Sequence, residues 1–225
     1  MATTVPTDAN VPSLDPGLTL LDTPDARSTA IHRLALRTIR TTDGRTYWLD
    51  ARNTASTYAL YDRAPSERAL RHVRIARAFT AYQHRALVER VVNAVSQRTG
   101  CLVVPNAASL YRDDDVPDHE AEPFLDGALS ALAAVATAYD IPVLVTDAGP
   151  ADALADVLAD HAGRALRCER TGFGYRYEGE DFETTVYWDD DGWQTTIPYW
   201  VELFGAVGGD SPATTGPDLR FAVEG

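Results

Sequence analysis

The chain has 225 residues, enough for one domain with a buried core, and its 33 acidic and 20 basic residues give a net charge of −13. All of the basic residues are arginine, because the sequence contains no lysine. A surface with this net charge repels nucleic acid and anionic membranes at low salt, which argues against a protein that binds polyanions over its whole surface.

The composition also indicates where such a chain works. High acidity without lysine is typical of proteins from a salt-adapted cytosol, and codon usage in a GC-rich genome is the alternative explanation. No apolar run reaches the roughly 18 residues of a membrane span, and the chain does not begin with a basic-then-apolar leader. Cys101 and Cys168 each lie in an apolar run and are predicted to be reduced core residues. We therefore expect a cytoplasmic protein without a membrane partner.

Apolar runs and helical periodicity alternate along most of the chain. Residues 1–16 are polar and aperiodic, and they predict a flexible arm. Buried strands are predicted from short apolar runs at 17–21, 46–50, 73–76, 101–104 and 141–146. Helices are predicted from apolar residues at helical spacing at 27–40, 81–97, 123–139 and 151–162, with a shorter one starting near Pro65. An acidic, irregular loop is expected to open at Asp113.

The pattern changes after residue 163. Turn residues separate short runs that predict antiparallel strands at 164–168, 174–178, 184–188 and 194–197. Residues 208–225 are predicted to form a loose tail. Strands that alternate with helices imply parallel βαβ units. The chain is therefore predicted to be α/β, with one three-layer domain over 17–207, a mostly parallel sheet flanked by helices and antiparallel hairpins over 164–207 at its C-terminal edge.

Three segments match one family pattern in order and spacing. They are 73–79 (VRIARAF), 101–104 (CLVV) followed by 109–112 (SLYR), and 138–146 (AYDIPVLVT). Together they resemble the ATPase core of the RecA/RadA recombinases, particularly the archaeal branch. The resemblance spans about residues 17–170 and lacks the N-terminal helix–hairpin–helix domain common in that branch. It implies a RecA-like fold and, in an active member, a site for Mg·ATP.

The phosphate loop of that family has no intact counterpart here. Its glycines let backbone N–H groups approach the phosphates, its lysine adds positive charge and its threonine binds Mg²⁺. The matching stretch, 22–29 (DTPDARST), contains no glycine, and Pro24 lacks an N–H. Ser28 stands in the place of the lysine, Thr29 keeps its type, and Arg27 replaces the cation only in part. The loop is therefore predicted to be degenerate.

Three further functional positions of the family are also replaced. Arg52 stands where the family has the glutamate that activates water, and Pro105 stands where it has the aspartate that orients Mg²⁺. Asp147-Ala148 replaces the polar pair that senses the γ-phosphate. We therefore expect no catalytic residue, no bound cofactor and no metal.

The DNA-binding elements of the family look weakened as well. The first loop begins Tyr111-Arg112, as the resemblance requires, but six carboxylates follow within about ten residues and would repel phosphates. The second loop is expected to be deleted. Nucleic acid is therefore an unfavoured partner, although the sequence leaves it open.

Two clusters admit both a functional and an ordinary structural interpretation. The arginines at 63, 68, 71, 74 and 77 form either a patch for nucleic acid or an acidic partner, or an exposed surface with ion pairs to Asp62 and Glu67. C-terminal aromatic residues form either a partner-binding surface or a small core over the sheet end, and base stacking is a third interpretation that nearby acids disfavour. The candidate partner-binding aromatics are Tyr175, Tyr177, Trp188, Trp193, Tyr199 and Trp200.

The resemblance and the lost positions together predict a non-catalytic RecA/RadA-like pseudo-ATPase. It would act through protein–protein contacts as a regulator or scaffold in DNA recombination or repair, with a RecA/RadA-type recombinase or a second copy of itself as the partner. Two alternatives stay open. One is a divergent nucleotide hydrolase that uses Arg27, Thr29 and Asp50, and the other is a protein that binds single-stranded nucleic acid.

Overall fold

A computed structural model describes residues 11–42, 44–53, 57–64, 66–171, 174–180 and 182–187. Its strands are β1 Gly17–Asp22, β2 Arg45–Ala51, β3 Val73–Ala78, β4 Thr99–Val104, β5 Pro142–Asp147, β6 Arg164–Thr171, β7 Gly174–Gly179 and β8 Phe182–Tyr187. Its α-helices are α1 Ala30–Thr42, α2 Thr57–Arg63, α3 Ala81–Ala94, α4 Asp118–Tyr139 and α5 Ala153–His161. Two short 3-10 helices cover Glu67–Leu70 and Ser109–Arg112.

Within the described residues, the strands form one sheet in the order β3-β2-β4-β5-β1-β6-β7-β8. Strands β1 to β6 pair in parallel, and β7 runs antiparallel to both of its neighbours. This confirms the predicted α/β class, the mostly parallel sheet and the antiparallel C-terminal edge.

The direction of each crossover assigns the helices to two faces. The connections from β1 to β2 and from β2 to β3 run one way across the sheet, and the three later connections run the other way. Right-handed crossovers then put α1 and α2 on one face and α3, α4 and α5 on the other. The packing agrees, because α4 contacts both α3 and α5 while α1 contacts α2.

Each sheet face has its own hydrophobic core because successive strand residues point to opposite sides. Leu102 and Val104 of β4 face the core with α3 to α5, whereas Cys101 and Val103 face the core with α1 and α2. Strands that are buried on both faces need continuous apolar sequence, and for this reason the apolar runs predicted these strands. Burial raises the pKa of the Cys101 thiol to about 12, so it is an inert core group.

Several predicted boundaries differ from the structure. Helix α4 begins at Asp118, so the second half of the expected acidic loop is helical, with its acids at the favourable end of the helix dipole. Helix α5 begins at Ala153, because Asp152 caps it by accepting a hydrogen bond from the backbone of Ala155. Helix α2 has no counterpart in the prediction, because Tyr58 is 85% exposed and, among the side chains of this helix that the structure describes, only Ala59 and Leu60 are buried.

The chain before β1 is partly packed rather than wholly free. Val11 is buried in the α1 core, and Asp15 pairs with Arg164 at 3.1 Å, so part of the expected arm belongs to the folded domain. The predicted strand at 194–197 and the predicted tail lie outside the described residues. Among the helices that the structure describes, none combines the length and apolar character that a bilayer span needs.

Candidate functional site

The carboxyl ends of the parallel strands bring together the positions that the RecA/RadA resemblance compares with a nucleotide site. We call this end of the sheet the carboxyl edge. Arg27, Ser28 and Thr29 follow β1, Arg52 follows β2 and Pro105 follows β4. The connections of the neighbouring strands β1 and β5 leave towards opposite faces, and open α/β sheets bind ligands in the crevice at such a point. A ligand site is therefore expected at this edge.

The turn between β1 and α1 uses its backbone donors on its own aspartate. The Arg27 amide donates to Asp25 Oδ1 at 2.8 Å, and the Ser28 amide donates to the Asp25 carbonyl at 3.1 Å. The hydroxyl of Thr23 donates to the same carbonyl at 3.1 Å. Asp25 therefore takes the N–H groups that a phosphate would require.

The two hydroxyls that end the turn also have partners inside the protein. Ser28 is buried, and its hydroxyl accepts from the Ala30 amide at 3.4 Å as a weak cap of α1. Thr29 Oγ1 and the Tyr175 hydroxyl lie 3.0 Å apart and share a hydrogen bond. The threonine that keeps the family's residue type thus faces a tyrosine of β7.

Asn106 ties three loops of this edge together. Its side-chain Nδ2 donates to the Ala26 carbonyl at 2.9 Å, and its backbone amide donates to Thr146 Oγ1 at 3.0 Å. It is buried and adopts a φ of 50°, which asparagine tolerates better than most residues. The residue after Pro105 therefore fastens the β1 turn to the ends of β4 and β5.

Arg52 is an anchor between β2 and the Ser109–Arg112 helix. Its backbone amide donates to the Ala78 carbonyl at 3.1 Å. Its guanidinium donates to the Ser109 carbonyl at 2.9 Å and forms an ion pair with Asp113. A guanidinium stays protonated in proteins, so this group cannot act as a base on water.

Asp50, the acid of the alternative hydrolase hypothesis, is fully buried in β2. Its carboxylate lies 3.3 Å from Arg77 Nε, and the two residues are register partners across β2 and β3. A buried carboxylate needs such a partner. The pairing gives both Asp50 and Arg77 a structural role.

Arg112 forms the densest charged network at this edge. Its Nη atoms bind both oxygens of Asp147 at 3.0 and 2.8 Å, and its Nε and Nη2 bind both oxygens of Asp152 at 2.7 and 2.9 Å. The hydrogen bond from Arg112 holds the pKa of the Asp152 carboxyl below its usual value. We call these three residues the Arg112 clamp.

Tyr111 is fixed as firmly as its neighbour. It is 1% exposed, and its hydroxyl lies 2.9 Å from Nδ1 of His84. Burial lowers the pKa of His84 to about 4, so this imidazole is neutral near pH 7. The Tyr-Arg pair that resembles the start of a DNA-binding loop therefore holds the fold together.

An open groove of about 600 Å³ lies beside the clamp, between the Ser109–Arg112 helix and the first turns of α4 and α5. Its charged lining includes Asp113, Asp114, Asp118 and Glu122. The described residues contain no group of three or more His, Cys, Asp or Glu side chains that could hold a metal ion.

The candidate aromatic surface is described only in part. Tyr177 is fully buried in the α1 core, and its hydroxyl donates to the Ala30 carbonyl at 3.4 Å, so its assignment to a partner-binding surface is corrected. Tyr175 is half-buried, with Arg33 over its ring at 5.8 Å. For these two residues the structure favours a small core over the sheet end. Trp188, Trp193, Tyr199 and Trp200 lie outside the described residues.

The arginine cluster divides into paired and unpaired members. Arg63 lies 3.4 Å from Asp62, as one interpretation expected, and Arg77 pairs with Asp50. In the part of the chain that the structure describes, Arg68, Arg71 and Arg74 have no carboxylate within 4.0 Å, and Glu67 forms no ion pair with them.

Strand β3 lies at an edge of the sheet and has a groove beside it. Carbonyls of His72 and Ala78 accept from β2, so the alternate residues between them turn their N–H and C=O groups outward. An open groove of about 410 Å³ lies between this strand and α3, with a mainly apolar lining that includes Tyr47, Leu87 and Val91. Arginines 45, 74 and 90 also line it. We call this surface the β3 groove.

No protein-family model matches this chain, and a search of the curated proteins likewise finds no match.

Two features of the carboxyl edge were not foreseen from the sequence. The role of Asp25 depends on the shape of the β1 turn, and the role of Asn106 depends on its contact with Ala26, 80 residues away in the sequence. The Arg112 clamp joins residues 35 and 40 apart. The only local signal was Asp152 at the start of a helical pattern, which marks a cap.

Proposed function

We propose that this chain is a non-catalytic RecA/RadA-like protein that acts through protein–protein contacts. Its RecA/RadA membership is part of the proposal and rests on the three matching segments. The role in DNA recombination or repair comes from that family likeness alone.

One observation carries the non-catalytic part of the proposal. In the turn where a phosphate-binding loop would offer its amides to a ligand, the Asp25 carboxylate accepts from the Arg27 amide and the Asp25 main-chain carbonyl accepts from the Ser28 amide. An approaching triphosphate would have to displace this carboxylate and would meet its negative charge. Preorganised donors give phosphoryl transfer most of its electrostatic stabilisation, so this turn is unsuited to that chemistry.

Other groups at the carboxyl ends of the strands support the same conclusion. Arg52 pairs with Asp113, Asn106 holds the β1 turn, and Arg112 is saturated by two carboxylates. Each of these groups has a partner within the fold, so recruiting it for a nucleotide would break an existing interaction. The divergent hydrolase is disfavoured because Thr29 and Asp50 have internal partners too.

The β3 groove is the surface that best suits a protein partner. An extended segment can add to an open strand edge through main-chain hydrogen bonds, and its side chains then fill adjoining pockets. The apolar lining favours a bulky apolar anchor, and Arg45, Arg74 and Arg90 favour acidic neighbours around it. We assign the groove to an extended acidic segment of a recombinase-type partner.

A titration with Mg·ATP in molar KCl tests the non-catalytic proposal. We expect no saturable heat and no phosphate release from the full chain. Asp25→Gly removes the carboxylate and frees the Arg27 amide, while the main-chain carbonyl of residue 25 still accepts from the Ser28 amide. This variant is the matched comparison for weak residual binding at the turn. Micromolar binding by the unaltered chain together with turnover would overturn the proposal.

A further inference from the structure

A cavity of about 230 Å³ lies at the amino ends of β2 and β3, close to the end of α1. Three guanidinium groups line it, from Arg40, Arg68 and Arg71, together with His72, Ser66 and Gly44. Within the described part of the chain, no carboxylate lines this cavity. In a protein with a net charge of −13, such a local excess of positive charge is unexpected.

The donors of Ser66, Arg71 and His72 at this cavity are available for an anion. Ser66 precedes the Glu67–Leu70 helix, yet its side chain makes no capping hydrogen bond there. Arg71 Nε donates to His72 Nε2 at 2.8 Å, which leaves the Nη groups of Arg71 for a ligand. Because Nε2 accepts this bond, a neutral His72 carries its proton on Nδ1, which can also donate.

Charge and size select the kind of anion. The cavity is smaller than the roughly 300–1,000 Å³ typical of sites for drug-sized molecules, so it suits a compact ion. Guanidinium forks match the oxygen geometry of phosphate groups and bind them bidentately. The last turn of α1 contributes only about half a negative charge at its end, which the guanidinium groups of Arg68 and Arg71 outweigh.

We propose that this cavity is a binding site for a phosphate monoester. Arg68 and Arg71 are its principal ligands, and Arg40, His72 and Ser66 complete its lining. The cavity adjoins the β3 groove through residues 71–74, where Arg74 donates to the Arg71 carbonyl at 2.9 Å. A phosphorylated side chain on a segment in that groove and a free phosphate ester share this chemistry, and they are distinguished by experiment.

Calorimetry on the full chain at constant ionic strength tests the site, with inorganic phosphate as the first probe and chloride as the reference. We expect saturable binding of one phosphate, weakened about tenfold or more by Arg68→Gln or Arg71→Gln, since each removes a charge-assisted contact. Arg85→Gln makes the same charge change on α3 and is expected to leave binding unaltered. Thermal unfolding of each variant checks that it remains folded.

A phosphoserine peptide and its unphosphorylated form separate the two sources. Tighter binding of the phosphopeptide than of inorganic phosphate identifies a phosphorylated partner segment, and equal binding identifies a free ester. Saturable binding of neither probe would overturn the site, as would binding that Arg68→Gln and Arg71→Gln leave unchanged. The outcome is independent of the Mg·ATP titration, which probes the other edge of the sheet.

Discussion

Among single residues, Arg112 makes the largest number of charged contacts at the carboxyl edge. It is 16% exposed and holds the end of β5, through Asp147, against the cap of α5, through Asp152. Gly149 lies directly against it, and a Cβ at that position would come within 2.2 Å of Arg112 Nη1. The glycine therefore leaves room for the guanidinium, and the clamp fastens the end of β5 to the start of α5.

Replacement of Arg112 by methionine is expected to lower the free energy of unfolding by roughly 2 to 4 kcal/mol near pH 7, because it leaves two carboxylates without their cation. The loss is below that of a fully buried pair, since the side chain of Asp152 is 33% exposed. Urea unfolding measures it. Arg52→Met is the matched control, with an expected loss of about 0 to 1 kcal/mol for its more exposed pair.

The same variant has a defined pH dependence. The folded-state pKa of Asp152 lies below its usual value of 3.8, so its stabilisation is present above that value and is lost as the pH falls through the lowered pKa. The difference between the unaltered chain and Arg112→Met is therefore expected to shrink on acidification below about pH 4. A difference that stays constant to about pH 2, or an equal loss in Arg52→Met, would contradict this account of the clamp.

Whole elements were more predictable than the contacts between them. Strands β4 and β5 could be predicted because strands that are buried on both faces need continuous apolar sequence, and these two carry it. Helix α2 was missed because its buried stripe, Ala59 and Leu60, is too short to give a period. The convergence of the β1, β2 and β4 loops follows from parallel strands, but the links that Asn106 and Arg112 make depend on contacts between distant residues, which no local pattern encodes.

The edge strand β3 is expected to bind the partner segment directly. A photo-crosslinking residue at Ala76, which lines the β3 groove, is expected to form an adduct with an extended acidic segment of one protein in native extract. Arg74→Glu combined with Arg90→Glu should abolish the adduct, because the reversed charges repel such a segment. Mass spectrometry of the crosslinked peptide identifies the partner residues.

Arg85→Glu is the control for that experiment, because it adds a negative charge to α3 outside the groove. It is expected to leave the adduct in place. An adduct that a nuclease removes would indicate nucleic acid, and an adduct with a second copy would indicate self-assembly. Either result, or an adduct that the double reversal does not affect, would contradict the assigned occupant.

Positive and negative charges are distributed unevenly along the chain. Residues 37–98, which include β2, β3 and α3, hold twelve arginines and five acids, a net charge of +7, while the rest of the chain has a net charge of −20. The basic part contains the β3 groove and the proposed phosphate site, and the acidic part contains the groove beside the clamp. Long-range attraction therefore favours acidic partners at the β3 end of the sheet.

This division predicts opposite salt effects on folding and on binding. The Debye length falls from about 10 Å at 0.1 M to about 3 Å at 1 M salt, which weakens repulsion among the acidic residues. We expect KCl to raise the midpoint of thermal unfolding by roughly 5 to 10 °C over this range, beyond the effect of sucrose at equal osmolarity.

Association of an acidic segment at the β3 groove should weaken over the same range, because its steering charges are screened while its apolar contacts remain. Calorimetric unfolding and peptide titration at matched salt concentrations measure the two trends. If the midpoint were independent of KCl, repulsion among the acids would not limit the stability of this fold.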